Sequence, residues 1–341
     1  MKSEDKGTVI VTLQWLRALS AVMVIINHIT LKEKKLGIVS SAFDIGAIGV
    51  DIFFVISGFM MANIFYTKKP TAKKFILDRI KRILPLYYLF TIASLILLLI
   101  SPKIINTDTK TAIWQSFLFI PLKKGELTYL VMVGWTLCYE VMFYLIFTIS
   151  LLIKKEAALY TASFITLVIS MYGIFLGGNS SNIYISGASN PIMIEFVFGM
   201  AAYEISRLRS SLLVTIIIST LSIFTFTPSE ADDRYVSWGV PSLALVLIAN
   251  YSEKFITKKN WLSYIGDCSY EIYLSHIYAI GLIYYSMKIF HLPVDNQPFL
   301  IICFIFSIAT GVICKNQISE RIKRMNLPSA RKKYSFKLHS E

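Results

Sequence analysis

Apolar residues in this chain come in long unbroken runs rather than in the alternating or one-faced patterns of water-soluble strands and helices. Ten runs can be marked, at 12–30, 46–66, 83–101, 130–153, 157–177, 190–206, 211–227, 237–252, 268–290 and 297–314. A helix needs about 20 apolar residues to cross a bilayer core about 30 Å thick, so the pattern predicts an all-α polytopic integral membrane protein with about ten transmembrane helices. The sixth, eighth and tenth runs are short, and 111–122 forms a further apolar patch of interfacial character, so nine or eleven spans remain alternatives. Connectors are short throughout. Residues 1–341 therefore read as a single membrane domain that closes on a short basic tail, 315–341.

Composition agrees with the pattern: mean hydropathy is +0.61, with 55% hydrophobic and only 16% charged residues. A soluble domain carries more charge than this. Lysine and arginine concentrate in cytoplasmic loops of membrane proteins. With a cytoplasmic N-terminus, 24 of the 34 basic residues fall inside and 8 outside, which puts the C-terminus inside as well. The same distribution accounts for the net charge of +13 without nucleic acid, since basic loops and the tail lie against an anionic leaflet of the lipid bilayer. The first run has a charged start like a secretory signal, but it contains Arg17 and His28 and lacks a small-x-small cleavage site, so it reads as an uncleaved span.

Four cysteines (Cys138, Cys268, Cys303 and Cys314) lie in or beside apolar runs without C-x-x-C pairing, so neither a disulfide framework nor a metal site is indicated. Phosphate-loop, dinucleotide-binding and nucleophile-elbow motifs are absent from the sequence. Any chemistry must come from polar residues within the spans.

Arg17 and His28 stand out, because eleven residues of helix bring them back to one face roughly 16 Å apart along the axis. Ionisable groups in an apolar span are costly and usually face protein or a wet cavity. Ser20, Ala21 and Val24 lie between them, and their small side chains predict a groove from the arginine to the histidine. The plainer alternatives are that Arg17 snorkels and that His28 caps the far end near the headgroups. In the second run Asp51 lies near the outer end with Ser57 about two turns further in, and glycines at 46, 49 and 58 suit close helix contact. Glu140 sits among apolar and aromatic neighbours in G-W-T-L-C-Y-E-V-M-F-Y, where a lone carboxylate must be protonated or paired; His28 is an available partner. Glu195 is a third intramembrane carboxylate, placed where it can reach water. His276 reads as nearer the cytoplasmic third, structural or donor-binding rather than catalytic, and His291 and His339 as solvated.

Several stretches occur together in order: Arg17 with His28, G-V-D-I-F-F-V-I-S-G-F, R-I-K-R-I-L-P-L-Y-Y, W-T-L-x-x-E followed by F-Y, N-P-I-M-I-E-F-x-F-G and C-S-Y-E-I-Y-L-S-H. Together, across about residues 12–290, they resemble the acyltransferase 3 family of membrane acyltransferases, especially its exopolysaccharide and O-antigen O-acetyltransferases. The resemblance implies a bacterial cytoplasmic (inner) membrane enzyme. It would move an acyl group, most often acetyl from cytoplasmic acetyl-CoA, to a sugar hydroxyl of a glycan or lipid-linked oligosaccharide on the outer side. No hydrolase-like domain follows the tenth run, which favours transfer completed within the membrane domain.

On this reading Arg17, Arg79, Lys81 and Arg82 bind the donor, the last three by meeting its phosphates, although a basic cluster there also serves ordinary topology. Ser57, Trp135 and Tyr144 are candidate substrate-binding residues, and His28, Glu140 and Asp51 the catalytic candidates. His28 would be the base that a neutral hydroxyl needs, with Glu140 orienting the ring and Asp51 or Ser57 as alternatives for that role. A covalent acyl-histidine is a second chemical route. No metal is called for. A transporter or flippase would also have ten spans with buried charges, but it usually shows internal repeats, and none is visible here.

Overall fold

The computed structural model describes residues 10–100, 110–177, 180–228, 233–256, 258–294 and 296–325. The start of the chain and the basic tail from 326, with His339, lie outside the described residues. In chain order the helices are α1 (Val11–Lys35), α2 (Ile48–Lys68), α3 (Ala72–Ile100), α4 (Ile113–Leu118), α5 (Gly134–Ile153), α6 (Ala158–Tyr172), α7 (Ile183–Ala188) and α8 (Ile194–Ser206). They continue with α9 (Ser211–Thr225), α10 (Arg234–Ser237), α11 (Gly239–Ser252), α12 (Trp261–Asp267), α13 (Ser269–Ile289), α14 (Asn296–Cys314) and α15 (Glu320–Met325).

Each of the ten apolar runs thus carries a helix, and the shorter helices occupy the connections. The one departure from an all-helical chain among the described residues is a parallel pair of two-residue strands, β1 (Thr111–Ala112) with β2 (Thr128–Tyr129). With α4 it accounts for the apolar patch at 111–122, which folds as a compact cap and not as a span.

Among the described residues, six helical stretches are long and apolar enough to cross a membrane: Val11–Lys35, Asp44–Lys68, Ala72–Ile100, Gly134–Ile153, Lys155–Gly177 and Gln297–Ile322. Helices α8, α9 and α11 have 13, 15 and 14 residues and are shorter than a full crossing. Helix α13 has 21 residues but carries Glu271, His276 and Lys288. Large apolar side chains such as Leu99, Phe175 and Phe224 are exposed on the outer helices, where a bilayer would cover them. This is a membrane protein.

Close helix approach fixes the centre. A Cβ on Gly58 would lie 2.0 Å from the Phe196 carbonyl oxygen, and one on Gly199 2.0 Å from that of Val55. Glycine at both positions lets α2 and α8 cross backbone to backbone, as small residues do in membrane helices. The two helices run parallel, with Phe54 against Phe196 at one level and Tyr66 against Tyr203 further along. Helix α1 runs antiparallel to α2 and parallel to α13, which it meets at Arg17–Ser269 and at His28–His276. Its first turn is held by Glu253, whose carboxylate accepts from the backbone N–H groups of Val11 and Thr12 at 3.0 and 2.9 Å. Free N–H groups at a helix start favour such an anion.

Candidate active site

The stripe on α1 is not an open groove. Gly49 of α2 packs onto Ser20 and Val24, and Ala21 is buried against α13 and α14. Small residues there admit neighbouring helices, which is the commoner use of small side chains in a membrane. A cavity of about 100 Å³ lies beside the stripe instead, lined by Arg17, Ser57, Arg82, Glu140, Ser269 and Tyr270 among others. Five helices (α1, α2, α3, α5 and α13) each supply part of this wall, so the site exists only once the bundle has closed.

Inside it the polar groups are specifically engaged. Arg17 donates from Nε to Ser269 Oγ at 3.1 Å. Glu140 Oε1 accepts from Ser57 Oγ at 3.2 Å and from the Tyr144 hydroxyl. Arg79 lies one turn before Arg82, its guanidinium 5.8 Å from the centre of the Tyr144 ring and 5.9 Å from that of Phe75. Its Nε and Nη1 are buried with no hydrogen-bond partner among the described residues, so two donors there are unsatisfied. Buried donors without acceptors are uncommon. Lys81 is exposed and does not line the cavity.

The pairing of His28 with Glu140 expected from sequence is not formed. Glu140 is satisfied by Ser57 and Tyr144, and His28 Nδ1 instead lies 3.0 Å from Nε2 of His276 and 3.1 Å from the Val24 carbonyl oxygen. His276 is therefore level with His28, not nearer the cytoplasmic end. Tyr273 links this pair to the cavity, since it lines the cavity, bonds Thr136 at 3.0 Å between hydroxyls, and has its ring 5.8 Å from that of His276.

Asp51 is also engaged elsewhere. Arg234 of α10 grips it with two bonds, Nε to Oδ1 at 2.8 Å and Nη2 to Oδ2 at 2.7 Å, and reaches the Ala47 carbonyl at 3.1 Å. Such a fork holds a carboxylate in one plane. Glu195 is fully buried rather than in reach of water. Neither Arg234 nor the role of His276 was legible in the sequence, because both depend on partners 183 and 248 residues away.

A second cavity of about 570 Å³ is lined by Lys123, Trp135, Tyr139, Asn190, Arg234 and Tyr235 among others. Helix α5 borders both spaces: Trp135 and Tyr139 line the larger, Thr136 and Glu140 the smaller. The candidate substrate residues are thereby split, with Trp135 on one side and Ser57 and Glu140, the partner of Tyr144, on the other. Among the described residues no cluster of His, Cys, Asp or Glu could hold a metal ion.

Helices packed around a buried polar site, with two cavities bordered by one helix, define a membrane-embedded helical protein. Comparison with known proteins places it more narrowly. The acyltransferase domain family known as acyltransferase 3 matches residues 10–315, and the chain belongs to that family. It is an acyltransferase, and proteins named as O-acetyltransferases are among its relatives. The exopolysaccharide production protein ExoZ of Rhizobium meliloti is 28% identical over 71% of this chain and 78% of its own length. The peptidoglycan O-acetyltransferase OatA of Listeria monocytogenes is 27% identical over 78% of this chain and 49% of its own. A putative O-acetyltransferase of Staphylococcus aureus is 25% identical over 80% of this chain and 51% of its own. The chain spans about half the length of these last two relatives. No solved structure matches it.

Proposed function

We propose that this protein transfers an acetyl group from cytoplasmic acetyl-CoA to a sugar hydroxyl of an exported glycan or a lipid-linked oligosaccharide, within the bacterial cytoplasmic membrane. The observation that carries this reading is the pair of cavities bordered by α5, one lined by arginines and a hydrogen-bonded carboxylate, the other by aromatic rings and polar groups. Arg17 and Arg82, with Arg79 beside them, suit the phosphates of a thioester donor in the smaller cavity. Trp135, Tyr139 and Asn190 suit the faces and hydroxyls of a sugar in the larger.

His28 takes the proton from the acceptor hydroxyl. The sugar oxygen then bonds to the acyl carbon, the carbon–sulfur bond breaks, and the departing thiolate recovers the proton. Ser57, Glu140 and Tyr144 form a hydrogen-bonded group that holds the donor side of the cavity in shape. Asp51 supports this arrangement from a distance, through the position of Arg234. Residues 1–341 act as one membrane domain.

The expected topology is ten spans with both ends cytoplasmic. Two observations support it: the bias of basic residues, and the parallel course of α1 with α13 and of α2 with α8. A thiol-reactive label applied to intact cells should reach a cysteine introduced at 180–189 and miss one introduced at 69–74; the reverse pattern overturns the orientation.

The function itself is tested by mass spectrometry of surface polysaccharide from cells with and without the gene. Loss of one acetyl unit per repeat supports it, and unchanged acetylation sinks it. Donor binding is read separately. Replacing Arg79 and Arg82 together by alanine should raise the half-saturating acetyl-CoA concentration in membrane vesicles by about tenfold or more while lowering the maximal rate much less, because contacts remote from the thioester act on ground and transition state alike. An unchanged half-saturation in a normally inserted variant would leave the cluster as a topology signal only.

A further inference from the structure

We infer that His276 is the positioning partner of His28, holding its ring in one tautomer and sharing the positive charge that forms during transfer; this rests on the reading of His28 as the base. The argument begins with acceptors. His276 Nδ1 lies 2.7 Å from the Tyr273 carbonyl oxygen and 3.3 Å from that of Ile272. A carbonyl oxygen only accepts, so His276 carries its hydrogen on Nδ1. A neutral imidazole has one such hydrogen, which leaves His276 Nε2 as a bare lone pair.

That lone pair is 3.0 Å from His28 Nδ1, and the Val24 carbonyl oxygen is 3.1 Å from the same atom. Both neighbours accept, so the hydrogen of His28 also resides on Nδ1. The tautomer is assigned from these acceptors. Its consequence is that His28 Nε2 is unprotonated and is the ring nitrogen with a free lone pair.

When Nε2 takes the hydroxyl proton, His28 becomes an imidazolium and its Nδ1–H bond to His276 becomes charge-assisted, a stronger bond than the neutral one. His276 therefore occupies the place that a carboxylate holds behind the histidine of a hydrolase triad. Among the described residues no carboxylate hydrogen-bonds either ring: Glu140 bonds Ser57 and Tyr144, Asp51 bonds Arg234, and Glu271 pairs with Lys315 at 3.7 Å. No proton is consumed at His276, because His28 Nε2 returns it to the departing thiolate. His276 is wholly buried, so it acts through His28 and does not itself touch substrate.

Three variants and one spectrum test this. In membrane vesicles carrying the native acceptor, with radiolabelled acetyl-CoA as donor and matched protein abundance, His276→Phe keeps the ring volume but removes the acceptor. Its maximal rate should fall about 100-fold with little change in half-saturating acetyl-CoA, since loss of a group acting only in the transition state spares donor binding. His276→Gln restores a carbonyl acceptor for His28 Nδ1–H and should recover to within about tenfold of wild type. Equal loss in both variants, or wild-type transfer by His276→Phe, overturns the inference. His28→Ala separates the two readings: if it transfers normally, the base assignment itself fails, whereas its inactivity beside an active His276→Phe removes only the role of His276.

The wild-type protein gives an answer that no folding defect can obscure. The sequence has only four histidines, so nitrogen chemical shifts of isotope-labelled histidine can be resolved in the membrane-embedded protein. Nδ1–H with bare Nε2 on both His28 and His276 is the expected result, and a hydrogen on His276 Nε2 in the resting protein overturns it.

Discussion

Replacing His28 by alanine is expected to lower acetylation of surface glycan by about 100-fold or more, the usual contribution of a positioned base, while the protein inserts at normal abundance. Removing an imidazole from an apolar helix does not hinder insertion. It leaves His276 Nε2 without its donor, a loss of about 1–3 kcal/mol for a buried polar group and small beside the kinetic effect. His28→Gln retains hydrogen bonding but cannot take a proton, so it should be nearly as inactive. Arg17→Lys offers a contrast on the same helix: it keeps the charge but loses the planar fork that reaches Ser269, and should be impaired if guanidinium geometry positions the donor. Acetyl groups per repeat, measured at matched membrane abundance, read all three. Transfer near the wild-type level by His28→Ala would contradict the catalytic assignment.

The second large effect is structural. Asp51→Asn should destabilise the protein by about 3–5 kcal/mol, because it removes the buried anion that Arg234 holds with two hydrogen bonds. The side chain of Asp51 is fully buried and that of Arg234 is only 12% exposed, so solvent offers little relief. Arg207 and Glu204 provide the control: their pair is 50% and 33% exposed, and breaking it should change stability by about 1 kcal/mol at most. Thermal unfolding of the detergent-solubilised variants, followed by loss of monodisperse protein, distinguishes them. An Asp51→Asn protein that melts with wild type would show that the fork contributes little. Partial recovery in the double exchange, Asp51→Arg with Arg234→Asp, would tie the loss to the pair itself.

Every apolar run was legible as a helix because lipid-facing and core-facing positions are both apolar, and run length then suffices to mark an element. Partnerships were much less legible. The sequence suggested His28 for Glu140 because both are ionisable and lie in apolar spans. The local signal was stronger: Tyr144 follows Glu140 by four residues, which puts its hydroxyl on the same helix face. Asp51 gave no hint of Arg234, which sits in a connection 183 residues on and is brought to it only by the packing of α2, α8 and α11. The small residues between Arg17 and His28 suggested a groove, but neighbouring helices pack onto them and the cavity forms beside the stripe.

Helix α5 carries one more consequence. Positions 135 and 139 border one space, and 136, 137 and 140 border the other, so a single helix lines both cavities. On the proposed assignment, changes at Trp135 or Tyr139 bear on the acceptor, and changes at Thr136 or Glu140 on the donor. Acceptor preference would then diversify, by natural drift or by directed evolution, at side chains other than those lining the smaller cavity.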